Sequence, residues 1–168
     1  MSKGTGASQP QGFEDAATEG AVTAADDAFT SNEILNLLHS VDIEYRNSPG
    51  AGFMMHDLIA KEVRKLTVTS SADQYLWEPS FKAGQPDTLL GKPVYINNEI
   101  DSTVAADNRT IFFGDWDSLW IRIVRGIELA QTSERFIEKY QEGFIGFMRM
   151  DSELVDTSAI KFLRQLTT

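Results

Sequence analysis

Apolar positions along this chain follow two rhythms, one of helical period and one of short unbroken runs cut by turn residues. The helical rhythm is clearest after Thr30. Ile34, Leu38, Val41 and Tyr45 recur at helical spacing, with Leu37 beside them, which makes one apolar stripe. Thr30 and Glu33 stand at capping-box spacing ahead of it, and Asn47-Ser48-Pro49-Gly50 stops it. The spacing predicts one helix between those signals, with its stripe in the core. A second helix is predicted over about residues 56–66, with Ile59, Val63 and Leu66 on one face and Lys61, Arg64 and Lys65 on a basic, solvated side.

The unbroken runs predict strands. Residues 52–55 form one, and the stretch 75–115 organises the rest. Within it Gln85-Pro86-Asp87 breaks the chain, Leu89-Leu90 is apolar, and Gly91-Lys92-Pro93 permits only extended or turned backbone. Val94-Tyr95-Ile96 then reads as a strand, and Ile111-Phe112-Phe113 as another that ends at Gly114-Asp115. Both runs read as neighbouring interior strands buried on both faces. Residues 98–108 are a polar connection, and 67–74 are polar and turn-like.

Further on, residues 120–124 and 127–129 read as two strands around a turn at Arg125-Gly126. Residues 133–140 make a short helical turn or a bend, 143–150 a long strand, and 158–163 the last strand. Residues 1–29 are rich in Gly, Ala, Ser and Thr, and carry Glu14, Asp15, Glu19, Asp26 and Asp27 against Lys3 alone. Such a segment builds no core by itself and reads as an extended arm or loop. Helices followed by a succession of strands give an α+β fold.

Composition narrows the function classes. The 168 residues, 42% of them hydrophobic, suffice for a substantial core. No apolar run approaches the ~20 residues that a membrane helix needs. Without cysteine the chain has no disulfide and no thiolate metal site. A net charge of −10 repels phosphate backbones, so specific nucleic-acid binding is not expected.

The candidate chemistry is sparse. Gly4-Thr5-Gly6 lacks the Gly-Lys-Ser/Thr ending of a phosphate loop. His39 and His56 fall on different helices and lack HExxH spacing, so they read as structural or surface histidines. Asp115 and Asp117 flank Trp116 after a strand, where two carboxylates could share an ion. The simpler reading is that Asp115 accepts turn amides. No acid, base and nucleophile converge in the pattern, so neither catalytic residues, nor a metal, nor a cofactor is predicted.

The order Y-L-W-x-P-S, A-G-x-P-x-T-L-L-G-x-P-V and F-G-D between Tyr75 and Asp115 resembles the major capsid proteins of tailed bacteriophages, those with the HK97-type shell fold. The segment from Gly4 to Gly12 and residues 149–159 fit the same order, so the resemblance spans about residues 3–163. It implies an HK97-type capsid fold fragment, a mixed β-sheet flanked by helices. It also implies an extended N-terminal segment over 1–29, an A-domain-like part over 30–130, P-domain-like strands over 131–155, and a final strand with tail over 156–168. The family's N-terminal arm, E-loop and spine helix have no counterpart, so the chain is expected to match the later part of a subunit. Residues 136–140 lack the Asn that cross-linking members use, so no isopeptide bond is expected.

The function so implied is that of a phage or prophage shell subunit, structural and not enzymatic, which self-associates into hexamers and pentamers when complete. The alternative is a stand-alone truncated capsid-like protein that modulates or blocks assembly of another phage's shell. Implied partners are other copies of the capsid protein, together with scaffold, portal or maturation protease; a membrane is not among them. The implied location is the virion shell, or the bacterial cytoplasm during assembly. Arg122, Arg125, Arg135 and Arg149 are the candidate inter-subunit contacts for the many carboxylates, singled out by composition alone.

Overall fold

The computed structural model describes residues 2–25, 27–67, 75–80, 84–132 and 138–167. In chain order the elements are α1 (Phe13–Ala16), β1 (Thr18–Val22), α2 (Ser31–Ser40), α3 (Ile43–Arg46), β2 (Ala51–Met55), α4 (Asp57–Arg64), β3 (Trp77–Glu78) and β4 (Thr88–Leu89). They continue with β5 (Lys92–Ile96), β6 (Arg109–Asp115), a 3-10 turn (Trp116–Ser118), β7 (Leu119–Thr132), β8 (Gly143–Leu154) and β9 (Ile160–Arg164). Among the described residues the strands form two sheets: a mixed one in the order β1-β9-β6-β2-β5-β4-β3, and a ribbon of β7 and β8. This is the α+β architecture expected, a mixed sheet with helices packed on it.

β6 is the organising strand. It pairs antiparallel with β2 on one side, Phe113 opposite Phe53, and with β9 on the other, Phe112 opposite Phe162. Alternate residues of a strand point to opposite faces, so its aromatic run serves two cores at once. Ile111 and Phe113 join Phe53, Met55, Ile34, Leu37, Ile59 and Val63 beneath the helices. Phe112 points the other way, into a smaller cluster with Phe13, Ile100, Leu154, Ile160 and Phe162. Double-sided burial of residues 111–113 is therefore as the apolar run predicts. β5 differs: only Val94 is buried, while Tyr95 and Ile96 are exposed. Nor do β5 and β6 touch as neighbours, because β2 lies between them.

The capping signal at Thr30 is real. The Glu33 carboxylate accepts the Thr30 amide at 2.6 Å and the Ala24 amide at 2.7 Å, which satisfies a side chain that is itself buried. The single helix predicted from the stripe is broken, however, at Val41. Asp42 restarts the chain as α3 by accepting the Glu44 amide at 3.1 Å. Val41 stays in the core and Tyr45 packs against it, so the apolar spacing survives a bend in the backbone. On α4 the basic side chains Lys61, Arg64 and Lys65 are exposed, as predicted. Arg64 lies 4.6 Å over the Trp77 ring and pairs with Asp87 at 3.0 Å.

The N-terminal segment departs most from expectation. Part of it is regular and docked: β1 runs parallel to β9, Thr18 opposite Lys161, and Phe13 is buried. The Phe13 ring meets Phe112 and Trp116 edge-on, at 5.1 and 5.2 Å between centroids. Composition missed this because one aromatic side chain and a backbone ladder suffice to dock the segment on an existing sheet.

Two outcomes test this packing. A Cβ at Gly114 would lie 2.1 Å from the Ala159 carbonyl oxygen and 2.6 Å from Ile160 Cα, both backbone atoms. Gly114→Ala should therefore cost about 1–3 kcal/mol in urea unfolding, as strand β9 is forced aside. Phe13→Ala should cost about 3–5 kcal/mol in the same measurement. A loss below ~1 kcal/mol would mean the segment contributes nothing to the fold.

Candidate functional site

The ribbon is where the molecule is open. β7 and β8 are rich in Ile, Val, Trp and Phe, which favour extended backbone. They pair antiparallel from Leu119 opposite Leu154 out to Thr132 opposite Gly143. Their base is fixed. Leu154 is buried in the smaller cluster with Leu119 packed against it, and the Val155 amide donates to the Ser118 carbonyl at 3.1 Å. Beyond the base the ribbon projects from the sheet, and nearly every residue is exposed.

Residues 120–129 are thus one strand, not two strands around a turn. The register slips between Val124 and Glu128, so residues 125–127 stand opposite Met148 alone. Arg125 and Gly126 have φ of 60° and 70°. A pair of left-handed residues is the signature of a tight hairpin turn, which explains the misreading. Here the same geometry makes a bulge that bends the ribbon without reversing it. The strand predicted over 143–150 runs on to Leu154. Of the turn or bend predicted over 133–140, residues 133–137 lie outside the described residues.

Register assigns the side chains to two faces. Leu119, Ile121 and Ile123 stand opposite Leu154, Ser152 and Met150; past the bulge the same face carries Met148, Leu129 and Phe144. Trp120, Arg122 and Val124 stand opposite Glu153, Asp151 and Arg149 on the other face, followed by Glu128 opposite Phe147 and Ala130 opposite Ile145. One face is nearly all apolar and the other mixes charge with aromatic surface. Both are open: Trp120 is 67%, Ile127 70%, Leu129 76% and Phe144 70% exposed. Isolated exposed apolar residues are ordinary, but a contiguous stripe of this length marks a contact surface.

Three of the four candidate arginines meet here. Arg122 and Arg149 are diagonal neighbours on the mixed face, and among the described residues neither forms an ion pair. Arg125 lies in the bulge, 3.9 Å from the Glu128 carboxylate, with both side chains largely in solvent. Such a pair contributes little to stability. Arg135 lies outside the described residues. The bulge opens a shallow cleft edged by Val124, Arg125, Phe147 and Arg149. Sequence reasoning missed the apolar members. Their signal was a pair of β-forming runs with apolar residues at both parities.

The remaining candidates resolve into local structure. Asp115 accepts the Asp117 amide at 3.2 Å and so caps the 3-10 turn. His56 caps α4, its Nδ1 accepting the Leu58 amide at 3.0 Å. His39 contacts the Arg46 guanidinium. Among the described residues no group of three His, Asp or Glu is placed to hold a metal ion. Among them, too, no helix is long and apolar enough to cross a membrane.

Comparison with known proteins bears on this arrangement directly. Residues 1–164 match the model of the phage capsid family. The fold is similar to that of the capsid of an empty GTA particle, with a TM-score of 0.80 and 26% identity, covering 98% of this chain and 59% of that one. The capsid of a native GTA particle gives 0.80 and 27% over the same shares. A structure from Gordonia phage Cozz, at 13% identity and a TM-score of 0.59 over 99% of this chain and 55% of that one, shares the fold alone. The chain thus spans about three fifths of the GTA capsid chains it matches. No curated protein matches it. The resemblance carried by residues 75–115 holds over almost the whole sequence: this chain belongs to the phage capsid family.

Proposed function

We propose that this chain is part of a shell subunit whose work is self-association, and that the β7–β8 ribbon carries contacts between copies. The observation that supports this most is the apolar stripe from Ile121 to Phe144, exposed on a ribbon that no second layer covers among the described residues. Symmetric shells are closed by many repeats of modest interfaces, and a narrow ribbon supplies an interface of that kind. The large sheet and its helices correspond to the A-domain-like part, and the ribbon to the P-domain-like part. Pairing of β7 with β8 along their length favours extending the latter back from residue 131 to Leu119.

Arg122 and Arg149 suit carboxylates of a neighbouring copy, since the chain holds 25 acidic residues against 15 basic ones. Arg125 and Arg135 are further contacts on the same reading. Scaffold, portal and maturation protease belong to the assembling particle in the bacterial cytoplasm, and the shell of the virion is the final location. The match to about three fifths of the GTA capsid chains agrees with reading this chain as a portion of such a subunit, and the later portion is the one that the motif order suggests. The second reading, a truncated capsid-like protein that enters or blocks another phage's shell, uses the same surface. Mixing the chain with a full-length capsid protein separates the two, since only a blocker lowers the yield of shells.

Sedimentation velocity tests the surface. The isolated chain should associate weakly and reversibly as its concentration rises. Paired substitution of Ile123→Thr and Leu129→Thr should weaken association about tenfold or more, equivalent to ~1.4 kcal/mol. The same pair should change unfolding free energy by less than ~1 kcal/mol, because both side chains are already in water. Unchanged association in this variant, or complete shells from this chain alone, would contradict the reading. Arg122→Ala with Arg149→Ala should weaken association at low salt and have a vanishing effect near ~1 M salt, where screening reaches about 3 Å. A salt-independent effect would remove the arginines from the interface.

A further inference from the structure

Residues 2–16 fold over the junction between the large sheet and the ribbon and hold both. The segment closes on itself where the Gly12 amide donates to the Gly4 carbonyl at 2.8 Å and the Glu14 amide to Ser2 at 3.0 Å. Toward the ribbon, the Gln11 amide donates to the Ser152 carbonyl at 3.0 Å, and Ser152 Oγ donates back to the Gln11 carbonyl at 2.6 Å. Toward the sheet, Phe13 is wedged against Phe112 and Trp116.

Glu14 sits inside this clasp. It is only 5% exposed, and its Oε1 is the one buried side-chain polar atom among the described residues that has no hydrogen-bond partner. The charged groups facing it are Lys3 from the start of the segment, Asp15 from its own helix, Asp101 from the connection after β5, and Arg109 from β6. None neutralises it well. Lys3 Nζ is 3.9 Å from Oε2 but donates to Asp101 at 3.3 Å. Arg109 donates to the backbone carbonyl of Glu14, not to its carboxylate, and lies 3.8 Å from Asp15. A buried carboxylate so weakly paired is costly, and a protonated one much less so.

We propose that residues 2–16 form a proton-sensitive clasp between sheet and ribbon, closed firmly when the Glu14 carboxyl is protonated and loosened when it ionises. Burial, with Asp101 and Asp15 adding to it and Lys3 and Arg109 opposing, pushes this carboxyl up from 4.5 to about 7. The sign follows. Closing takes up a proton, so the contribution is fully present below the ordinary carboxylate value of 4.5 and is lost as pH rises to about 7. Above that the clasp closes on an ionised Glu14, weakened by a constant amount. The clasp stands apart from the proposed contacts between copies. If the ribbon does carry them, protonation firms the base on which they are mounted.

Amide hydrogen exchange on the full chain tests it, with the Gly12 and Glu14 amides reporting the clasp and those of Phe112 and Phe113 as reference. After correction for the intrinsic exchange rate, clasp opening should rise by about tenfold per pH unit between about pH 5 and 7, then level off. The reference amides should not follow it. Glu14→Gln, an isosteric neutral side chain, should hold the clasp at the low-pH level throughout. A flat profile in the unsubstituted chain, or the same slope in Glu14→Gln, would overturn the proposal. Carbon-13 titration of the Glu14 carboxyl needs no substitution: a midpoint near 7 is expected, and one near 4.5 would overturn it equally.

Discussion

Double-sided burial of β6 is the constraint on which the molecule rests. Ile111 and Phe113 close one core beneath the helices while Phe112 closes another on the reverse face. A strand covered on both faces must be flanked on both edges as well, and β2 and β9 do this with matched aromatic positions. What is settled around β6 is then free to carry something that is not settled. The ribbon of β7 and β8 follows immediately from the end of β6 through one 3-10 turn, so its base inherits the rigidity of the sheet. A two-stranded ribbon is at best marginal on its own in water. Anchored at Leu119 and Leu154, it can extend its apolar residues into solvent and keep its shape.

The chemistry of the acidic residues points the same way. Carboxylates that could have formed a site are used as caps and braces. Asp42 starts α3 and Asp115 starts the 3-10 turn. Asp87 accepts the Ser80 amide, the Trp77 indole and the Arg64 guanidinium, and these hold its carboxyl below the usual range. Asp156 takes the Tyr45 hydroxyl and the Ser158 amide, and is likewise held low. These are the roles of acids in a frame.

Much of the frame was legible in the amino-acid order. Residues 111–113 were readable as double-buried because nothing polar interrupts them, and Thr30 with Glu33 because capping is local. The failures share a cause: each depends on what the chain meets elsewhere. The segment 1–29 has few large apolar residues, β1 joins the sheet through its backbone, and Phe13 needs Phe112 to have a place. Arg125-Gly126 has hairpin chemistry, and only the pairing of β8 opposite it makes it a bulge. Composition alone singled out Arg122, Arg125 and Arg149, whereas the apolar stripe they accompany became visible only once register had sorted the ribbon into faces.

The central claim is that the molecule has a closed body and a ribbon that meets other copies. Isoleucine methyl NMR across a concentration series measures this most directly, because the residue type samples both parts. Ile121, Ile123, Ile127 and Ile145 are exposed on the ribbon, whereas Ile34, Ile59, Ile111 and Ile160 are buried in the body. The account predicts that the ribbon methyls shift and broaden as concentration rises while the body methyls stay fixed. Ribbon methyls indifferent to concentration, with association reported from the body instead, would contradict it.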